Sequence, residues 1–439
     1  MRKLFILELS VSLGISMKNK PSPLIPLFGT HAAFGRSSQS EYEEDRPFIG
    51  QYLSGLQSRF DAQADYNAVR MFLKSYSKVE TTFNNYRTQV ERLLLWAWIK
   101  RGKSVLQFHR GDVEDFMGFC CNPDPGWVGG AIKSRFILAE GCHVPNPEWR
   151  PFTMRTAKAI RKAAAEHHRD APAPTFKMAA GSIRQVYAVT NSFFQYCSAR
   201  LLMGNNPCIQ IGIDRWVSRE MREIPLKSLT KLQWNFVLET AELMASESPQ
   251  GERTLFCIVM MISCYLRISD LVGNGAWRPT MGSFVKTDNG WWYQVVGKGN
   301  VQAKIAVKPD CIEYLKRYRN WLGFTDYPFP GETEPLLRTA HGRAGMTARQ
   351  VRNDVQKVFD RAIQRMQEEG FGEEDSASLR SASLHWFRHT GATFDAPYRN
   401  PKNLQADMRH KSLATTQNIY YHTIDQERAA EVARLPLRR

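Results

Sequence analysis

Residues Leu255 to Leu266 (LFCIVMMISCYL) form the most apolar run of the chain, and Arg267 follows it immediately. A bilayer span needs about 20 such residues, so this run is too short to cross a membrane and reads as a helix buried in a core. No membrane span is expected anywhere. The start, Met1 to Met17, combines a basic opening with an apolar stretch, but Glu8 interrupts it and no small-residue cleavage site follows, so a signal peptide is not expected and Met17 is a second candidate start. Eight cysteines are sparse in 439 residues and no C-x-x-C pair occurs. Reduced thiols and no metal site are expected, with Cys257 and Cys264 as core residues.

A core helix of this kind needs partners, and the chain is long enough for two or three domains. Residues 1–60, rich in Pro, Ser, Gly and charge without a sustained period, are expected to be a flexible N-terminal arm. From Thr81 to Arg101 the residues Tyr86, Val90, Leu93, Leu94 and Ala97 recur at helical spacing, ending at Gly102. A second helix is expected over Ser182 to Arg200. Residues 61–213 therefore read as a helical domain with a Pro/Gly/Trp-rich insertion at 122–180. The polar segment 214–226 reads as a linker and 227–439 as a second domain. There, Thr230-x-x-Gln233 and Thr347-x-x-Gln350 are capping boxes that open helices. Trp291 to Val296 and Ala303 to Val307 flank Gly297-Lys298-Gly299-Asn300 as a hairpin. The expected class is mainly α with a small antiparallel β-sheet.

Lys and Arg number 59 against 43 Asp and Glu, a net charge of +16, which makes a polyanion such as nucleic acid the first partner to consider. Within the insertion, Arg155, Lys158, Lys162 and Arg169 share one face if 155–169 is a continuous helix. Such a stripe tracks phosphates or is simply a solvated basic face; the pattern is the same for both. Arg87 and Arg184, on the two expected helices, are further DNA-contacting candidates.

Four segments of the second half carry residues suited to phosphodiester chemistry: Tyr265-Leu-Arg267-Ile-Ser-Asp270, Val296-Gly-Lys298-Gly-Asn300, Leu384-His385-Trp-Phe-Arg388-His389-Thr390, and Arg409-His410 through Tyr420-Tyr421-His422. Their order and spacing resemble the tyrosine site-specific recombinases, the phage-integrase family. The resemblance covers about 226 to the C-terminus and, more loosely, 62–212, which looks like that family's helical, SAM-like core-binding domain ahead of its mixed α/β catalytic domain. It implies Arg267 and Arg388 as catalytic arginines, Lys298 as the hairpin lysine, His385 and His410 as the two histidines, and Tyr420 as nucleophile. Tyr420 is favoured over Tyr421 because Tyr-x-His matches the family's ending. Two positions depart from the usual pattern: Met408-Arg409-His410 stands for Leu-Gly-His, and His385-Trp386-Phe387-Arg388 for His-x-Leu-Arg.

The chemistry agrees with these residue types. A phosphodiester repels nucleophiles, and attack adds charge to its non-bridging oxygens, which fixed guanidiniums clamp with paired hydrogen bonds. A phenol needs a proton acceptor, for which His385 is the expected base, and the departing 5′-oxygen needs a donor, for which Lys298 is the expected acid. The resemblance implies cleavage and rejoining through a 3′-phosphotyrosine without metal, ATP or other cofactor. The expected partner is double-stranded DNA at specific sites, bound by a homotetramer joined through the C-terminal helix at 423–439, with a cytoplasmic, nucleoid-associated location. A type IB topoisomerase-like enzyme and a non-catalytic DNA-binding protein are the competing readings.

Overall fold

The computed structural model describes residues 24–36, 39–166, 168–217, 227–275, 277–297, 301–339, 342, 345–421 and 433. They divide into two units, Met1–Ala157 with Ala171–Met221, and Lys158–Asp170 with Arg222–Arg439. The last seam, between 221 and 222, falls inside the expected linker, of which residues 218–226 lie outside the described residues.

In the first unit, Asp61 opens the helix Ala62–Ser75 by accepting from the Ala64 N–H at 2.9 Å. The expected helix at 81–101 runs from Glu80 to Trp96 and widens into a π turn over Ala97–Arg101, which left-handed Gly102 terminates. The helix expected at 182–200 is Ala180–Ala199. Phe72, Leu93, Leu94, Phe193 and Phe194 pack between these helices as one core.

The segment ahead of them departs from the expected mobile arm. Residues 31–56 contain the helices His31–Arg36, Gln39–Glu44 and Pro47–Leu56. Leu27, Phe28 and Tyr42 are fully buried in the same core. The buried Glu91 carboxylate accepts from the Leu27 and Phe28 N–H groups at 2.7 and 3.1 Å, satisfying backbone donors that no helix or strand serves. These helices are too short for a period to show in the sequence, and a long-range side chain anchors the lead-in.

The second unit is built around the apolar run, which forms the helix Pro249–Ser263 and is buried at every residue from Gly251 to Ser263. Helix Lys231–Glu247, opened by the Thr230/Gln233 box, and helix Ala348–Glu368, opened by the Thr347/Gln350 box, both lie against it. Helix Leu384–Asp395 meets it backbone to backbone: a Cβ on Gly391 would overlap the Ile262 carbonyl oxygen. A three-stranded antiparallel sheet, Phe284–Thr287, Gly290–Gly297 and Val301–Ala306, pairs Phe284 with Tyr293 and Tyr293 with Ile305, placing all three on one buried face. The expected hairpin is present, and Gly297 pairs with Val301 at its end.

The insertion splits between the units. Its loop carries two short two-stranded pairings in the first unit, Val128–Gly129 with Phe152–Thr153 and Phe136–Ala139 with Cys142–Pro145. Its helix is shorter than expected, Lys158–Glu166, and belongs to the second unit. Arg155 and Arg169 lie beyond its ends, so the four-residue basic stripe does not form. Instead Lys158 Nζ donates to the Ala382 carbonyl at 2.6 Å, Lys162 pairs with Asp360, and Arg380 Nε donates to Glu166 at 2.8 Å.

Candidate active site

Three separated segments of the second unit supply the site. The core helix ends at Ser263, and Tyr265 takes a left-handed φ of +50° that turns the chain into the short helix Ile268–Val272. Arg267 is the N-cap of that helix, and its N–H donates to Asp270 Oδ2 at 2.8 Å.

Arg388 comes from helix Leu384–Asp395 and is 1% exposed. Its two terminal nitrogens donate to the carbonyls of Tyr265 and Met408, so one guanidinium ties together the ends of two other segments. Among the described residues no carboxylate hydrogen-bonds to it. Burial, then the neighbouring guanidiniums of Arg267 and Arg409, pull its pKa down to about 9, which leaves it a cation at neutral pH.

The third segment begins where helix Pro401–Met408 ends at Arg409, which takes the left-handed φ of +53° that a glycine adopts without penalty. The departure from Leu-Gly-His therefore keeps the turn and adds a cation. Arg409 pairs with Asp270, whose Oδ1 accepts from Nη1 at 3.1 Å, and so ties this turn to the one carrying Arg267. His410 Nδ1 hydrogen-bonds buried Thr416 Oγ1 at 2.9 Å, leaving its other edge for a ligand. A π turn, Gln417–Tyr421, then carries Tyr420, which is 1% exposed.

The Tyr420 hydroxyl and His389 Nδ1 share a hydrogen bond of 2.6 Å. The His389 and His385 rings meet edge to face with centroids 4.5 Å apart, and the His410 ring stacks near Tyr420 at 6.2 Å. Burial first, then neighbouring positive charge, lowers His389 and His410 to about 4 and moves His385 the same way, so all three are neutral near pH 7. Burial raises Tyr420 to about 12, opposed by the Arg388 charge. A neutral phenol against a neutral imidazole is the protonation state from which a proton can be handed over.

Of the six expected catalytic residues, Arg267, His385, Arg388, His410 and Tyr420 come together here. Lys298, with Gly299 and Asn300, lies outside the described residues, as do the side chain of Tyr421 and, except Ala433, residues 422–439. Among the DNA-binding candidates, Arg155, Arg169 and Arg184 are exposed. Arg87 is not at the surface: it is 9% exposed and donates to the Gly29 carbonyl, because the segment at 24–36 covers it. His389, not among the expected catalytic residues, stands four residues after His385 and hence on the same helical face. Among the described residues no group of His, Cys, Asp and Glu is arranged to hold a metal ion, and no helix is long and apolar enough to cross a membrane.

No protein-family profile matches the chain. A tyrosine recombinase XerC from Caldanaerobacter subterraneus subsp. tengcongensis is 23% identical over 253 residues, 57% of this chain and 61% of that protein, so the alignment spans under two thirds of the relative's length. Among solved structures, the XerH site-specific recombinase in a post-cleavage complex with a palindromic difH substrate superposes with a TM-score of 0.51 at 14% identity. That match covers 94% of this chain and 99% of the other. The Tn1549 transposon integrase in complex with a circular-intermediate DNA gives 0.49 at 16% identity, over 84% and 98% of the two chains. In sequence the chain is thus similar to a tyrosine recombinase, and in fold to the XerH site-specific recombinase.

Proposed function

We propose that this protein is a site-specific DNA recombinase that cuts and rejoins strands through a covalent 3′-phosphotyrosine, serving integration, excision or a related rearrangement of a mobile element. The observation that carries this reading is the convergence of Arg267, His385, Arg388 and His410 on one electrostatic environment with Tyr420 at its edge: each arginine perturbs both histidines, and Arg388 perturbs the phenol. A site of cations, neutral imidazoles and one phenol suits a phosphodiester and little else.

In the reaction, Arg267 and Arg388 hold the non-bridging oxygens while Tyr420 Oη attacks phosphorus. The phenolic proton leaves to an imidazole; His389 is already on the hydroxyl, and His385 lies against it. The P–O5′ bond breaks and the 5′-oxygen takes a proton from Lys298 as general acid. The phosphotyrosine retains the energy of the broken bond, so a 5′-hydroxyl from either the same or another strand reseals it. Double-stranded DNA is the substrate, and a homotetramer on paired sites, joined through residues 423–439, performs the exchange in the cytoplasm at the nucleoid. The residues present require no cofactor for these steps.

The test is a suicide duplex that traps the covalent adduct. Tyr420→Phe abolishes the adduct and leaves binding intact; an adduct that persists moves the nucleophile to Tyr421 or elsewhere. Lys298→Ala cleaves slowly on ordinary DNA and recovers when sulfur replaces the leaving oxygen. Relaxation of supercoils without any exchange between two sites would favour the topoisomerase-like alternative.

A further inference from the structure

Beside Arg267 and His385 opens a cavity of about 470 Å³ within the second unit. Its wall includes Lys158 from the insertion helix, Arg352 from helix Ala348–Glu368, and the neutral donors Ser383 and Gln356; no carboxylate lines it. Three cationic side chains and no carboxylate among the lining residues make an anion site. The volume lies within the roughly 300–1,000 Å³ of small-molecule sites, enough for a nucleotide-sized group and more than a lone ion needs. We propose that this cavity is a second phosphate subsite, in which Lys158 and Arg352 hold the DNA backbone phosphate next to the one held by Arg267 and Arg388.

The inference rests on the strand-cleavage reading of the neighbouring residues and adds to it a part supplied by the insertion. The two lysines of the insertion helix are not equivalent. Lys162, one turn on, is neutralised by Asp360. Lys158 donates to a carbonyl, that of Ala382 at 2.6 Å, and keeps its charge and two further N–H donors for a ligand. Ala382 immediately precedes Ser383, the N-cap of the helix that carries His385 and Arg388, so the anchor of Lys158 is also the entry to that helix. Ser383 makes no side-chain cap, and the first residues of the helix, Leu384 and His385, line the same cavity. Burial and Lys162 lower the Lys158 pKa, a cost that a bound phosphate relieves.

The experiment measures the salt dependence of full-length protein binding to a random-sequence duplex, with suicide-duplex cleavage as the second readout. Lys158→Gln and Arg352→Gln each lower the slope of log K against log salt by about one and slow cleavage at least several-fold, and Lys158→Arg restores both. Arg361→Gln, which removes an exposed guanidinium paired with Glu247, leaves the slope unchanged. Arg352 is exposed, so its variant reports even if Lys158→Gln loosens the insertion helix. Unchanged slopes in both variants overturn the subsite, as does a loss in Lys162→Gln equal to that in Lys158→Gln, which would make the helix a general basic face. Failure of the wild-type protein to form any adduct overturns the cleavage reading instead, and the slope measurements separate the two.

Discussion

Two arginines of the second unit, Arg319 and Arg388, are each 1% exposed, and they are treated in opposite ways. Arg319 faces the Glu332 carboxylate, with Nη1 to Oε1 and Oε2 at 2.9 and 3.0 Å, and its Nε donates to the Thr325 carbonyl at 2.6 Å. Its charge is cancelled inside the protein. Arg388 instead donates to two backbone carbonyls and sits near two further guanidiniums. A buried cation with no carboxylate bonded directly to it is expensive, and substrate phosphate is an anion that would offset that cost. Burial of an arginine therefore says little about its role; the identity of its acceptors says much more.

This contrast can be broken by experiment. Arg319→Leu leaves Glu332 as a lone buried carboxylate and should cost about 3–5 kcal/mol in the urea unfolding free energy, with adduct formation intact wherever the protein remains folded. Arg388→Gln should do the reverse: cleavage falls about 10²–10³-fold while the unfolding midpoint moves less than in Arg319→Leu. Equal losses of stability in the two variants would erase the distinction.

Acid should expose the histidine cluster next. His389 and His410 have folded-state pKa values near 4, below the ordinary 6.5, so the unfolded chain binds more protons between those values. Their contribution to stability is present above about pH 6.5 and is lost as the pH falls toward 4. Unfolding midpoints across that window should decline less steeply in the His389→Asn, His410→Asn double variant. The smallest effect concerns Arg409. Arg409→Ala and Arg409→Gly both remove the Asp270 pair, but only alanine keeps the left-handed strain, so alanine should be the less stable by about 1 kcal/mol in thermal or urea unfolding.

Much of this arrangement was legible from local sequence. Both Thr-x-x-Gln boxes open helices, because a cap acts over three residues, and the apolar run is the core helix, because a stretch hydrophobic on every side has few other places to go. The hairpin strands were readable from aromatic and β-branched runs, whereas Phe284–Thr287, four residues long, carried too weak a pattern to mark the third strand. The helices at 31–56 were hidden because Glu91, more than thirty residues on, anchors the chain ahead of them. The same reason hid the insertion: nothing within 155–169 announces that Ala382, Asp360 and Arg380 will take its side chains. In the site, five candidate positions followed from the family resemblance, but the phenol's partner did not, since a tyrosine and a histidine 31 residues apart carry no local signature of contact.

Gly391 stands three residues beyond Arg388, where its helix touches the backbone of the core helix at Ile262. The placement of the Arg388 guanidinium is thus set by a close contact between two helices of the protein itself. A single added methyl at Gly391 would push the two helices apart and swing the guanidinium off its carbonyl rests, disabling chemistry through geometry alone while every reactive group stays in place.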